Sequence, residues 1–248
     1  MTTLKNAFYL ALTDTRARYK KSILGPLWLT LGNLVGVLGL SVVWAALLKE
    51  DMHSFVPSLT IGLIIWQLVA GAISDGPTTF IRQAGIIRNV SIPLWFFVVR
   101  ALSRQIINLA HNLVIVFGVI WYFDFPLQAV TWLALPGLLL VILNLFWMMY
   151  FLGMLGARFR DIEYLINSFL TLLYFISPVI FRQDLLPLSM EIIWANPFSY
   201  FIEIIRAPFL GNTPDATSYI VTISMLLAGS SMTLLFQHLH GKRVVFWV

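Results

Sequence analysis

Six stretches of this chain are apolar for about the length that a lipid bilayer demands: residues 27–48, 55–72, 106–123, 130–155, 165–181 and 219–236. A helix rises about 1.5 Å per residue, so roughly 20 apolar residues cross a hydrocarbon layer about 30 Å thick. The third stretch extends back toward Pro93, and the fifth is short, with a tilt or break expected at Pro178. Only 11% of the 248 residues are charged, against about 25% in soluble domains, too few to build a water-facing surface. The expected fold is all-α and integral to the membrane, one domain over 1–248 with six transmembrane helices.

Six crossings place both ends on one side. With the ends inside, 13 of the 16 lysines and arginines fall in cytoplasmic segments, and only Lys49, Arg182 and Arg206 lie outside. That asymmetry sets the expected topology, with both termini cytoplasmic. It also accounts for the net charge of +5 without a nucleic-acid partner. The first twenty residues carry Lys5, Arg16, Arg18 and Lys20 and no A-x-A site, so they are not read as a signal peptide. Cysteine is absent, which excludes disulfides, thiolate metal sites and a cysteine nucleophile.

Residues 1–24 read as an amphipathic helix in the inner interface: Leu4, Phe8, Leu12, Tyr19 and Ile23 fall near one stripe, and the cations gather at its end. A basic flank that only fixes topology is the alternative. Residues 25–181 hold spans one to five. Residues 182–218 are too apolar for a free outer loop and are punctuated by Asn196-Pro197 and Ala207-Pro208, so short helices re-entering the outer leaflet are expected. Span six and a cytoplasmic end occupy 219–248.

The phosphate-binding loop G-x-x-x-x-G-K-[ST] is missing, because Gly241-Lys242 is followed by Arg243 and lacks the upstream glycine. No HExxH, GxSxG or acid–histidine cluster appears, so neither a bound cofactor nor catalysis is expected. Four features remain. In Ser22-Ile23-Leu24-Gly25-Pro26, Gly25 permits an unusual turn and Pro26 suits a helix start. Bare N–H groups there, with Arg18, Lys20 and Lys21 just before, suit a phosphate or pyrophosphate; a plain helix start beside anionic lipid fits the same spacing. Arg100, Arg104, Asn108 and His111 or Asn112 lie on one helical face, with Asp75 as the expected counter-charge. Two short inner segments, one around Arg88 and one carrying Arg158, Arg160 and Asp161, suit docking of a cytoplasmic partner or are simple solvated turns. Gly32, Gly36 and Gly39 form a small-residue run that speaks of packing.

The order "RARYKKSILGPLW", "IIRNVSIPL", "ARFRDI", "SPVIF", "NPFSYFIEIIRAPFLG" and "VVFWV" resembles the membrane subunits of ABC-type polysaccharide exporters, within the ABC-2 permease group. The resemblance runs from Arg16 to Val248. It implies two copies of the chain around a pore and two ATPase chains below, which bind the ATP and Mg. It also implies a polyprenyl-pyrophosphate-linked polysaccharide as cargo. Leu24-Gly25, with Arg18, Lys20 and Lys21, would lie at the lipid-pyrophosphate entrance. Arg88, Arg158, Arg160 and Asp161 would meet the ATPase, and Asn196, Pro197 and Arg206 would belong to an outer gate. Trp44, Tyr174 and Phe175 are candidates for aromatic groups lining the pore, where ring faces stack on sugars. O-antigen is the expected cargo, with capsule, teichoic acid or a small molecule as alternatives. A membrane-bound glycosyl or acyl transferase would need paired carboxylates or a His–Asp pair at a membrane face, which the sequence lacks.

Overall fold

The computed structural model describes residues 2–20, 22–25, 27–49, 51–180 and 190–248, and among them the only regular structure is helical. In chain order the helices are α1 (Thr2–Tyr19), α2 (Leu27–Leu48), α3 (Met52–Asp75), α4 (Ala84–Asn89), α5 (Leu94–Tyr122) and α6 (Ala134–Arg158). They continue with α7 (Ile162–Ile176), α8 (Met190–Ala195), α9 (Pro197–Phe209), α10 (Ala216–His240) and α11 (Val244–Trp247). Within α2, α3, α5, α6 and α10 lie runs long and apolar enough to cross a membrane. The chain is therefore a multi-pass membrane protein.

The fifth apolar stretch breaks at its proline, as expected, and the number of long apolar helices changes with it. Its helix stops at Ile176 after 15 residues, about 22 Å, so by length and apolarity five helices qualify rather than six. The cause is local. Ser177 is extended, with ψ 146°, because the ring of the following proline disfavours a helical conformation at the residue before it.

Side-chain pairs fix how the helices run. His53 meets Phe123 with ring centroids 5.4 Å apart, Gln67 bonds Asn112, and Asp75 bonds Gln105. One number rises as the other falls, so α3 and α5 are antiparallel. By the same logic α6 and α10 are parallel, since Asn144 donates to the Thr222 carbonyl and Thr233 donates to that of Trp147. Helix α3 is buried along most of its length and forms the centre, whereas α2 and α10 leave most of their surface open. One end of the bundle carries Lys20, Arg82, Arg88, Arg158, Arg160, Lys242 and Arg243; it is called the basic end below.

Helix α9 caps the opposite end. Asn196 accepts a bond from the Phe198 N–H at 3.0 Å, and Pro197 fills the first helical position. Both are favoured helix starts. Its apolar face, with Phe198, Phe201, Ile202, Ile204 and Ile205, is buried. Gly137 of α6 lets it approach closely, since a Cβ there would lie 2.7 Å from the Ile204 carbonyl oxygen. The segment 182–218 holds two short helices, α8 and α9. Residues 182–189 of that segment, Arg182 among them, lie outside the described residues.

Candidate functional site

At the basic end α1 lies along α5. Ala7 and Ala11 are fully buried, while Leu4 and Phe8 stay 60% and 47% exposed. The apolar stripe read from the sequence therefore points away from the protein, and the small residues form the packing face. Asp14 pins the helix down by a two-pronged bond to Arg100, at 2.7 and 2.8 Å.

The turn after α1 is the one the sequence offers as a candidate anion site. Gly25 has φ +56°, and nothing lies within 4 Å of where its Cβ would be. The glycine is required by the backbone angle, not by space. Its N–H donates to Ser22 Oγ at 3.2 Å, and the Leu24 and Gly25 carbonyls accept from Leu27 and Trp28. Leu24 and Lys20 are exposed. Lys21, Pro26 and the side chain of Arg18 lie outside the described residues.

The polar face of α5 divides between two acids. Measured from Tyr122 at about 1.5 Å per residue, Arg104 lies about 27 Å and Arg100 about 33 Å away, at the edge of the hydrocarbon. Arg100 takes Asp14, not Asp75, and also donates to Gln83 Oε1 at 3.2 Å. Asp75 receives Arg82 and Gln105 at 2.8 Å each and has Arg104 at 3.6 Å. His111 turns aside, its Nδ1 2.7 Å from the Ile107 carbonyl oxygen of its own helix. Asn112 instead faces Asn33 and Gln67.

Asp75→Asn should destabilise the protein by about 2 kcal/mol. A charge at the centre of the membrane costs about 2.5–3.5 kcal/mol, and removing the counter-charge of cations near its edge costs less. Arg104→Gln should restore part of the loss, as a thermal-unfolding double-mutant cycle would show; purely additive losses would exclude coupling.

The two basic segments expected to dock a partner are joined by the C-terminal helix. Arg88 of α4 donates to the Val248 carbonyl. The Arg158 guanidinium sits 5.2 Å from the Trp247 ring centroid, and Arg160 donates to the Trp247 carbonyl at 3.4 Å. Val244 and Val248 are buried. Asp161 remains exposed, at the start of α7, with no capping bond from its side chain.

At the opposite end the gate candidates converge on one turn. Asn196 donates to Ser177 Oγ at 2.7 Å, and buried Arg206 donates to the Pro178 carbonyl at 2.6 Å. Tyr174 and Phe175 touch each other at 5.3 Å, and Tyr174 lies 5.8 Å from Trp66, which meets Phe198 at 6.3 Å. Phe175 is 64% exposed. Trp44 is half-buried, and among the described residues no ring contact joins it to that chain.

The sequence pattern of ABC-2 type transporters matches residues 7–210. The chain belongs to this family. It is similar to an O-antigen export system permease protein RfbA of Klebsiella pneumoniae, 25% identical over 206 residues, covering 81% of this chain and 78% of that protein. An RfbA of the same name from Myxococcus xanthus is 23% identical over 233 residues, covering 88% and 87%. A further Klebsiella pneumoniae RfbA is 20% identical over 200 residues, covering 79% and 77%. This ABC-2 permease is thus a membrane transport subunit, in keeping with the motif order read from the sequence.

Several residues of the permease that hold these sites together escape a reading by periodicity. Asp14 is one, although it is the sole acid among the first 49 residues, a signal in a segment so basic. Trp247, Trp66 and the Ser177-Pro178 acceptors are others; their partners are distant in sequence, and nothing in local spacing points to them.

Proposed function

We propose that this chain is the membrane-spanning permease of an ATP-driven exporter that carries polyprenyl-pyrophosphate-linked polysaccharide, O-antigen above the alternatives, from the cytoplasm across the inner membrane. The observation that carries this reading is the run of O-antigen export permeases among its relatives, matched over 77–87% of their length. Two copies would enclose the path, and two ATPase chains would bind ATP and Mg at the basic end, which the excess of cations assigns to the cytoplasm. Because α6 and α10 run parallel, the chain must return between them. Helix α7 with residues 177–180 makes that sixth crossing, and α8 and α9 re-enter from the outer side. Both termini are then cytoplasmic.

The anchored α1, its outward Leu4 and Phe8, and the Gly25 turn stand at head-group level, where a lipid pyrophosphate would arrive. A cation near the membrane surface contributes about 1 kcal/mol of attraction to anionic head groups. The test is export: cells that synthesise lipid-linked O-antigen but lack its exporter should recover surface polysaccharide when this chain and its ATPase are supplied. No recovery, with both proteins in the membrane, would refute the reading. In the purified complex, Arg18→Ala with Lys21→Ala should weaken binding of lipid-pyrophosphates bearing short and long glycans by a similar factor, roughly tenfold or more for about 2 kcal/mol. A loss that grows with glycan length would place the sugar at this turn instead.

A further inference from the structure

Deep in the bundle, α2, α3 and α5 enclose a cavity of about 170 Å³ lined by the amides Asn33, Gln67, Gln105, Asn108 and Asn112 and by apolar walls. Three amides close a ring across the three helices. Asn33 donates to Asn112 at 2.8 Å, Gln67 to Asn33 at 2.8 Å, and Asn112 to Gln67 at 3.3 Å. An amide offers two N–H groups and two acceptor sites, so each ring member keeps one N–H and at least one acceptor site for something else. Gln105 donates to Asp75, and Asn108 reaches Gln105 only at 3.5 Å. Counted from Tyr122, Asn112 and Asn108 lie about 15 and 21 Å into the helix, well inside the hydrocarbon.

Helix glue alone accounts for the ring but not for the void. Adhesive amides close on one another, whereas here five surround a space able to hold on the order of five waters. A buried polar group left unsatisfied costs about 1–3 kcal/mol, so the space is wet or filled by a polar solute. Its open side cannot face lipid for the same reason. None of the lining residues is ionisable. A charged solute would meet no compensating charge, whereas a neutral hydroxyl, donor and acceptor at once, matches an amide's spare groups.

We infer that these five amides form a subsite for neutral polyol groups, the hydroxyls of the moving glycan, within the transport path. This rests on the polysaccharide reading above. Hydroxyl–amide pairing tolerates different sugars, which suits a path that must pass successive residues of a chain.

Because the chain has no cysteine, an introduced cysteine is its sole thiol, and labelling is read on the permease band alone. In the permease–ATPase complex in liposomes, Asn108→Cys should react with a neutral, sugar-bearing, water-soluble methanethiosulfonate at least tenfold faster than Val114→Cys, whose parent side chain is 66% exposed on the same helix. O-polysaccharide freed of its lipid should slow the first reaction several-fold and leave the second unchanged. Leu68→Cys, on the apolar wall of the same cavity, keeps all five amides and should behave like Asn108→Cys even if that variant folds poorly. If neither cavity cysteine outpaces Val114→Cys, the amides are dry glue and the subsite is refuted. Fast labelling without protection by the glycan refutes it equally. Transport of lipid-linked polysaccharide by the unsubstituted complex is measured alongside: transport without protection overturns the subsite alone, and absence of transport overturns the polysaccharide reading and the subsite with it.

Discussion

Arg206→Met is expected to lower the melting temperature of the purified transporter by about 5 °C or more and to abolish export. Arg206 is 4% exposed, and it bonds the Pro178 carbonyl at 2.6 Å, tying α9 to the end of α7. A hydrogen bond from a charged donor contributes about 1.5–3 kcal/mol net, and a buried acceptor left bare adds its own desolvation cost. For a domain of this size each kcal/mol moves the midpoint by about 2–4 °C. The site admits no easy substitute. Gly62 of α3 packs so closely that a Cβ there would fall 2.7 Å from the Val179 carbonyl oxygen, so the turn cannot shift inward to find another donor. Arg206→Lys keeps the charge but not the planar fork, and should retain part of the stability. Asn196→Ala, which removes the second bond to the same turn, should fall between the two. A scanning-calorimetry or fluorescence melt that left Arg206→Met unchanged would show that the turn is held without the Arg206 bond.

What the sequence made legible follows from which interactions are periodic. Apolar runs report membrane crossing directly, so α2, α3, α5, α6 and α10 lie where hydropathy puts them. Hydropathy alone carries the fifth run on past Ser177-Pro178, and it was the proline that marked the break where the helix ends at Ile176. The apolar stripe of α1 was visible and was read as a face for the membrane interface, a reading with which the exposure of Leu4 and Phe8 is consistent. What the stripe did not reveal is the packing face, since only the burial of Ala7 and Ala11 shows that small residues, which allow close approach, face α5. The polar face of α5 was visible as spacing too, yet its charge partners were only half right. Asp75 lies beside Arg104, but Arg100 is held by Asp14, 86 positions away. Contacts of that separation depend on how helices cross, which no periodicity within one helix records. The amide ring is the extreme case, since Asn33, Gln67 and Asn112 come from three helices and each looks alone like a stray polar residue.

Asp161→Ala is expected to abolish polysaccharide export while leaving membrane insertion and the melting temperature almost unchanged. The two halves of that outcome have separate physical grounds. Asp161 is exposed and its side chain caps nothing; the start of α7 is held instead by the Leu165 N–H bonded to the Asp161 carbonyl, which alanine retains. A carboxylate near a helix N-terminus contributes about 0.3–1 kcal/mol, so the loss of stability should stay below about 1 kcal/mol. Export is another matter under the proposed function. Arg158 and Arg160, beside it, are engaged with Trp247, and Arg88 is engaged with Val248. Asp161 stands in the same short segment with its carboxylate free of any capping role, on a platform that α11 braces from both sides. A partner ATPase that pushes on this platform has an anion to grip there and, once it is alanine, none. Trp247→Ala provides the graded comparison. It removes a ring–guanidinium contact worth about 0.5–1 kcal/mol at an exposed site and slackens the brace while sparing Asp161, so export should fall without vanishing. Surface polysaccharide and ATP turnover, measured together in the two variants, decide the matter. If Asp161→Ala exports normally, the segment is a solvated turn and coupling must run through other residues.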